Sequence, residues 1–222
     1  SATHFVRDIS YYDGFGDLAQ TINVKGSPSG GNIITPMYYD NMRRADARIY
    51  LPYVRTDTTA ACDTSPFTSQ SAFYKNSVYG EGTYTYYENV YEPSSLNRVI
   101  QEYNVGNIFR TADSGKYITK TYDANAGEEV LLFSVSHSGT LSATGYYEAK
   151  TLYKNTTKDE DGKMTATYTD YDGHIVLSRI YKDNNTFYDT YYVYDNMQRL
   201  RWVIPPECSK IATSATVWDI DN

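Results

Sequence analysis

Several things are scarce in this chain. Its 222 residues include two cysteines, three histidines, two tryptophans and seven prolines, and 20 basic residues stand against 27 acidic ones. Each shortage excludes something. A net charge of −7 lacks the clustered Lys and Arg of a nucleic-acid footprint, so no nucleic-acid partner is expected. No apolar run approaches the roughly 18 residues that a membrane span needs, so no membrane insertion is expected. His4, His137 and His174 lie in unrelated segments, with neither His-x-His nor His-Glu-x-x-His spacing, which speaks against zinc. A Gly-x-Ser-x-Gly elbow is missing too: Gly26-Ser27-Pro28-Ser29-Gly30 puts proline where the nucleophile belongs and reads as a flexible loop. Cys62 and Cys208 form no Cys-x-x-Cys pair. A bridge between them would close a loop of about 145 residues, worth ~4–5 kcal/mol in the chain-entropy model. The other reading is two small buried thiols. The chain opens Ser1-Ala2-Thr3-His4 without an initiator Met, which reads as a processed or artificially cut fragment and leaves room for a signal peptide upstream.

What is abundant is tyrosine, with 25 copies against seven phenylalanines. A 41% apolar fraction is too high for a disordered chain, and the length suffices for one large domain or two small ones. Period-two alternation dominates. Thr165, Thr167, Thr169 and Tyr171 alternate with Ala166, Tyr168 and Asp170. Ile175, Leu177, Arg179 and Tyr181 share one strand face, and Leu200, Trp202 and Ile204 share another. Turn signals separate such runs at Asp13-Gly14, Ser114-Gly115, Ser138-Gly139, Asp161-Gly162 and Asp172-Gly173. The expected fold is all-β and predominantly antiparallel, its hairpins forming a twisted or curved sheet. At most one or two short helical turns are expected near 94–103, where Leu96, Val99, Ile100 and Tyr103 recur at three and four. The main body is read as 1–207, with two sub-lobes split near 56–75, and 208–222 as a linker or the start of a following region.

Self-comparison reveals a repeat. Tyr38-Tyr39-Asp40-Asn41-Met42-Arg43-Arg44 is nearly duplicated in Val193-Tyr194-Asp195-Asn196-Met197-Gln198-Arg199-Leu200, and Tyr11-Tyr12-Asp13-Gly14-Phe15-Gly16-Asp17-Leu18 is a third copy. Degenerate copies start at Lys158-Asp159 and Thr169-Asp170. The expected device is a hairpin cassette in which Asp accepts from turn amides, Gly takes a positive φ, and Arg begins the return strand.

These residues resemble the Rhs/YD-repeat family, whose unit is Tyr-Asp-x-x-Gly-Arg-Leu. The closer likeness is to the domain of unknown function that precedes the YD repeats of large secreted or surface proteins of Gram-negative bacteria. It is carried by Ile9–Gly16 with Gln20-Thr21, by Ile34–Asp40 leading to Tyr50-Leu51-Pro52-Tyr53, by Glu92–Val99, and by the stretch from Lys158 through Tyr188–Asp195 to Glu207. The resemblance implies a bacterial, secreted or cell-surface location, with downstream YD repeats as the partner. It also implies a β-shell that encloses a C-terminal toxin, or an adhesion barrel. The family's self-cleaving aspartate and toxin lie far C-terminal, and no stretch here matches them. Arg43 and Gln198 stand where the pattern has Gly, and Asp17 where it has Arg. Those copies are expected to turn differently or to act as caps.

Chemistry is thinly signalled. Asp159-x-Asp161-Gly162 and Asp170-x-Asp172-Gly173 are similar to a shortened Ca²⁺ loop but lack its third Asp and closing Glu, so turn chemistry is the simpler reading and no cofactor is expected. Ser136-His137-Ser138-Gly139 reads as a polar hairpin tip. Glu128-Glu129 and Asp159-Glu160-Asp161 supply adjacent carboxylates of the kind glycosidases use, at separations the sequence leaves open. The candidate ligand or interface surface is aromatic: Tyr84, Tyr86 and Tyr87 in one cluster, Tyr188, Tyr191 and Tyr192 in another. Rings on an outward strand face suit a glycan or a protein partner; cross-strand tyrosine ladders stabilise sheets without binding anything. The leading expectation is a non-enzymatic structural and interaction module with open sheet edges prone to self-association. A carbohydrate-binding module is the alternative, and a glycoside-active enzyme comes third.

Overall fold

The computed structural model describes residues 7–57, 59–77, 80, 82–110, 116–183, 186–212 and 217–218. The chain forms two compact units that divide between Tyr117 and Ile118. The fold is mostly antiparallel β-sheet, as the alternation requires, and the sheets do not close into a barrel. Residues 56–75, read as a boundary, lie inside the first unit and carry its helix.

In the first unit, β1 (Asp8–Tyr12), β2 (Leu18–Asn23), β3 (Asn32–Pro36) and β5 (Tyr53–Arg55) form one sheet in the order β1-β2-β3-β5. Every other residue of β3 is buried, and Ile22, Ile34 and Tyr53 make the core with Ile9, Tyr11, Val24, Phe73 and Tyr74 around them. A second group runs β7-β6-β4, from β4 (Arg48–Tyr50), β6 (Tyr86–Tyr91) and β7 (Val99–Tyr103).

The helical reading of 94–103 is corrected here. Residues 99–103 form strand β7, opposite β6. The three-and-four spacing of Leu96, Val99, Ile100 and Tyr103 is compatible with both periods over so short a run, and cross-strand pairing with β6 decides it. The helix is α1 (Pro66–Lys75), with proline in its first turn, where a missing N–H costs nothing. Its one buried residue is Gln70, whose amide donates to the carbonyls of Leu51 (2.9 Å) and Thr85 (2.8 Å) and accepts from the Thr85 hydroxyl. A polar clamp, not an apolar stripe, docks this helix.

The second unit has two layers. β8 (Ile118–Ala124), β11 (Tyr153–Lys158), β12 (Met164–Thr169), β13 (Ile175–Tyr181), β14 (Phe187–Tyr194) and β15 (Leu200–Ile204) run in the order β15-β14-β13-β12-β11-β8. β9 (Leu131–Val135) and β10 (Leu141–Tyr146) form a hairpin whose side chains join those of the large sheet in the core. There Val130, Leu131 and Leu141 meet Ala166, Tyr168, Leu177, Tyr191, Val193 and Ile204. After the short helix α2 (Pro206–Ser209), β16 (Val217–Trp218) pairs with β10.

One turn recurs. At Asp13, Asp40, Asp159, Asp170 and Asp195 the carboxylate Oδ1 accepts the amide of residue i+2 at 2.8–3.0 Å and of residue i+4 at 2.7–3.0 Å. In each, the Asp amide donates to the i+4 carbonyl and the i+3 amide returns to the Asp carbonyl. Residue i+3 has positive φ throughout: Gly16, Arg43, Gly162, Gly173 and Gln198. Ser27 and Ser136 build the same backbone turn, each with its hydroxyl accepting the i+4 amide and with Gly30 or Gly139 at i+3. The loop is three residues long, ending in a left-handed residue that restores the strand twist. Gly26–Gly30 is therefore mostly an ordered turn and not a flexible loop. Arg43 (φ 59°) and Gln198 (φ 60°) adopt the glycine conformation with the same hydrogen bonds, so the expectation that they turn differently is also corrected. Ser114-Gly115 lies outside the described residues.

An expanded version closes β6 and β7. Glu92 donates its amide to Arg98 O, Asn97 takes positive φ, and the Arg98 guanidinium grips the Glu92 carboxylate at 2.8 and 2.7 Å.

The added Cβ of Gly173→Ala meets nothing within 4 Å, so its cost is that of the backbone alone. We expect a loss of about 1 kcal/mol, and about 1–2 kcal/mol for Asp170→Ala, which strips an acceptor from two amides. Urea denaturation followed by circular dichroism measures both.

Candidate functional site

A concavity of the second unit lies where two of these turns come together. The 170–174 turn joins β12 to β13, and the 195–199 turn joins β14 to β15. Because β13 and β14 are neighbours, both turns open at the same end of the sheet. Between them is a cleft of 190 Å³, with Leu131, Phe133, Val176 and Val193 as apolar lining and Asp170, Asp172, Asp195, His174, Tyr147, Tyr192 and Tyr194 as polar and aromatic walls. That is below the roughly 300–1,000 Å³ of a drug-sized pocket, so it fits something of one-ring size.

The polar groups are held in place by the turns themselves. Asp170 uses Oδ1 for its turn amides, and its Oδ2 lies 3.2 Å from His174 Nδ1. The His174 ring lies against Tyr194, centroids 4.5 Å apart, so the tyrosine before one turn aspartate packs on the residue that closes the other turn. Burial raises the pKa of Tyr147 and Tyr194, and the charge of Asp170 raises both further. Asp195 is held ionised, below the usual carboxylate range, by hydrogen bonds from Arg199. Ligand atoms of Asp170, Asp172 and His174 lie within 4.8 Å of one another. A cation there would have to displace the His174 contact, because both Asp170 oxygens already accept or meet a partner.

Elsewhere in the second unit the large sheet holds a largely buried charged network. Arg179 on β13 and Asp189 on β14 are cross-strand partners joined by two 2.8 Å bonds, with the guanidinium 3.8 Å over the Phe187 ring. Glu129 accepts from Lys154 Nζ (2.5 Å) and Tyr168 Oη (2.7 Å), and its other oxygen takes the Ala126 amide. Burial alone would raise the Glu129 pKa; the hydrogen bonds from Lys154 and Tyr168 overcome it and hold the carboxyl below its usual range. A carboxylate so committed is a poor proton donor.

The six tyrosines of the aromatic surface take different places. Tyr86 and Tyr191 are buried, at 9% and 5% exposure, while Tyr84, Tyr188 and Tyr192 are half-buried and Tyr87 is exposed. Tyr86 packs at a tilt on Tyr50, centroids 4.6 Å apart, with the Arg48 and Arg110 guanidiniums 5.0 and 5.1 Å from its ring. Tyr191 meets Phe133 edge-on, and its hydroxyl receives the Leu131 amide at 3.5 Å. Burial lifts its pKa to about 12. The structure brings Tyr191 and Tyr192 to the cleft; the 84–87 cluster belongs to the other unit. Asp170, His174, Tyr147 and Tyr194 are the site residues that sequence reasoning did not join. The signal was there in the two cassettes, whose turns must align once β13 pairs with β14.

Other candidates resolve simply. Ser136-His137-Ser138-Gly139 is a Ser-type turn tip. Asp159 serves its turn amides, and Glu128 is exposed with positive φ. Cys62 and Cys208 are both free and exposed, which corrects both the bridge and the buried-thiol readings. His4 lies outside the described residues, and no helix among them is long and apolar enough to cross a membrane.

A family model for a domain of unknown function, DUF6443, matches residues 1–124. The chain belongs to this DUF6443 family. The match takes in the first unit and β8, with the turns at Asp13, Ser27 and Asp40 and the expanded turn at Glu92; the cleft lies beyond it. No curated protein matches the chain.

Two outcomes follow. Tyr191→Ala should cost about 3–5 kcal/mol, as for other large aromatic truncations in a core, while Tyr87→Ala should stay within about 0.5 kcal/mol; thermal melts separate them. A carboxyl whose folded pKa is depressed stabilises the fold above its unfolded value and loses that contribution as pH falls through the folded one. Glu129 should therefore contribute stability that is fully present above its ordinary pKa of 4.5 and is lost as the pH falls below it, and Glu129→Gln should flatten that acid limb of the melting-temperature profile.

Proposed function

We propose that this chain is a non-enzymatic structural and interaction module, the N-terminal β-rich part of a large bacterial YD-repeat (Rhs-like) protein that is secreted or displayed on the cell surface. In this reading the second unit offers a growing edge to downstream YD hairpins and helps to build or cap a β-shell of the kind that carries a toxin. The observation that carries it is the shared turn. One Asp- or Ser-anchored hairpin device recurs from Asp13 to Arg199, in both units. A chain whose hairpins are interchangeable units is suited to extension by more of them. Among the described residues β15 has β14 on one side and ends its sheet order on the other, and an unpaired edge templates pairing.

The reading predicts mass growth with concentration in multi-angle light scattering, together with slowed amide exchange across Leu200–Ile204 as the mass grows. A monomer throughout, with those strands ordered and their exchange unchanged, would overturn it.

The cleft favours a second reading, a carbohydrate-binding module. Tyr147, Tyr192 and Tyr194 supply ring faces for a sugar, and Asp172 supplies an exposed acceptor. The test uses methyl glycosides and short oligosaccharides followed by NMR. Shifts confined to cleft residues and abolished by Tyr192→Ala or Asp172→Asn support the reading. Absence of shifts, or shifts indifferent to both changes, removes it.

A further inference from the structure

The cleft of the second unit is lined by three carboxylates and by no Lys or Arg. A phosphate, sulfate or carboxylate entering it would meet charge of its own sign. The three acids are not equivalent. Asp195 is matched by arginines that do not line the cleft: Arg199 holds its Oδ2 at 2.9 Å, and Arg201 lies 3.7 Å away. Asp170 spends Oδ1 on its turn amides and through Oδ2 meets only His174 among the described residues. Asp172 gives its amide to the turn, and its carboxylate has neither hydrogen bond nor ion pair among the described residues. An oxygen of Asp172 lies within 4.8 Å of an oxygen of Asp170 and of a His174 ring nitrogen. Two like charges therefore stand close together on one wall.

The hairpin itself does not ask for Asp172. Residue i+2 is the tip of each of the seven turns, and the other six hold Phe15, Ser29, Met42, Ser138, Asp161 or Met197 there. The carboxylate of Asp172 is thus free of any task in the turn. The remaining walls are aromatic and apolar. Tyr147 and Tyr192 are half-buried, Tyr194 packs on the His174 ring, and Leu131, Val176 and Val193 complete the lining. Burial first, and then the charge of Asp170, raise the pKa of both Tyr147 and Tyr194, so the field of that carboxylate extends over the rings that line the cleft.

The geometry points to a small organic ammonium cation as the ligand of this cleft, a protonated amine or a quaternary ammonium carried on one ring or a short chain. Asp172 supplies the unmatched charge, tyrosine rings attract such a cation through their quadrupole, and the apolar lining takes the carbon skeleton. The cavity of 190 Å³ suits a ligand of that size. A hard metal ion would use only oxygen and nitrogen ligands and leave the aromatic and apolar walls idle. A neutral sugar would use the rings but leave the charges of Asp170 and Asp172 unrelieved. An amino sugar and a choline-type headgroup share the required chemistry, and the experiment separates them. The inference rests on the carbohydrate reading for its site alone, and adds the charge that the ligand must carry.

The test titrates the whole chain with matched pairs of ligands, followed by NMR chemical shifts. Choline is paired with its neutral isostere, in which carbon replaces the nitrogen, and methyl glucosaminide is paired with methyl glucoside. Choline carries a permanent charge, so its pair reads charge apart from any protonation of His174. At least one charged member should shift cleft resonances and bind about tenfold or more tightly than its neutral partner. Asp172→Asn, which keeps the shape and removes the charge, should weaken that ligand about tenfold, and added salt should weaken it too. Tyr192→Leu should weaken it about threefold or more. Asp161→Asn, at the tip of another turn, should leave binding unchanged, and circular dichroism reports that each variant keeps the fold. Choline binding without either sugar supports this inference and removes the carbohydrate reading. Sugars binding alike whether charged or neutral overturn this inference and leave the carbohydrate reading standing. No binding by any member overturns both, and charged-ligand binding indifferent to Asp172→Asn and Tyr192→Leu overturns this one.

Discussion

Most of the hairpins of this molecule depend on one side-chain oxygen accepting backbone amides of its own turn. An aspartate Oδ1 that takes the N–H groups of residues i+2 and i+4 fixes a three-residue loop without help from any other side chain. The amides of each turn point inward at the carboxylate, and a carboxylate is a stronger acceptor than a neutral oxygen. Serine performs a reduced version, accepting only the i+4 amide. Once the loop is set, the register of the flanking strands follows, and register decides which side chains face the core. Arg44 and Arg199 then return to the same aspartates through the second oxygen, closing the unit.

The longer connections are secured by a different means. Gln20, Asn32, Gln70 and Asn125 are buried amides, and each clamps backbone that no sheet holds. Asn32 donates to the carbonyls of Asp57 and Thr59. Gln20 exchanges hydrogen bonds with the Asp63 backbone in both directions. Asn125 accepts from Thr151 and Leu152 while donating to Glu148. A side chain with both donor and acceptor can satisfy a loop that would otherwise bury unpaired carbonyls. The irregular parts of the fold are ordered by polar satisfaction where the small core has little apolar surface to offer.

Those two devices explain what was legible. The cassette pattern, the alternation of β12, β13 and β15, and the all-β class stand in the residues because a turn aspartate and a period of two are local signals. Helix α1 was not legible: its docking residue is Gln70, and amphipathic periodicity looks for apolar stripes. Strand β7 was misread because five residues carry both periods equally well. Arg43 and Gln198 show a limit of another kind. The glycine preference at positive φ is an energy of about 1–2 kcal/mol, small enough for a complete set of turn hydrogen bonds to override. The cleft needed two turns brought together by the β13–β14 pairing, a contact between segments that single-strand patterns do not report. Tyr86 and Tyr191 look like surface rings in sequence because tyrosine is compatible with either face.

The meander from β11 to β15 has a consequence for how the chain reaches its fold. Each of these strands pairs with its immediate successor through a connection of a few residues. Loop closure is therefore short at every step, and sheets of this kind acquire their contacts from nearby sequence. The second unit can zip from any hairpin outward, adding one strand at a time to a growing edge. Gain or loss of a whole hairpin by duplication or deletion would leave the order of its neighbours intact, so lineages can lengthen or shorten such a sheet without passing through an unfolded intermediate design.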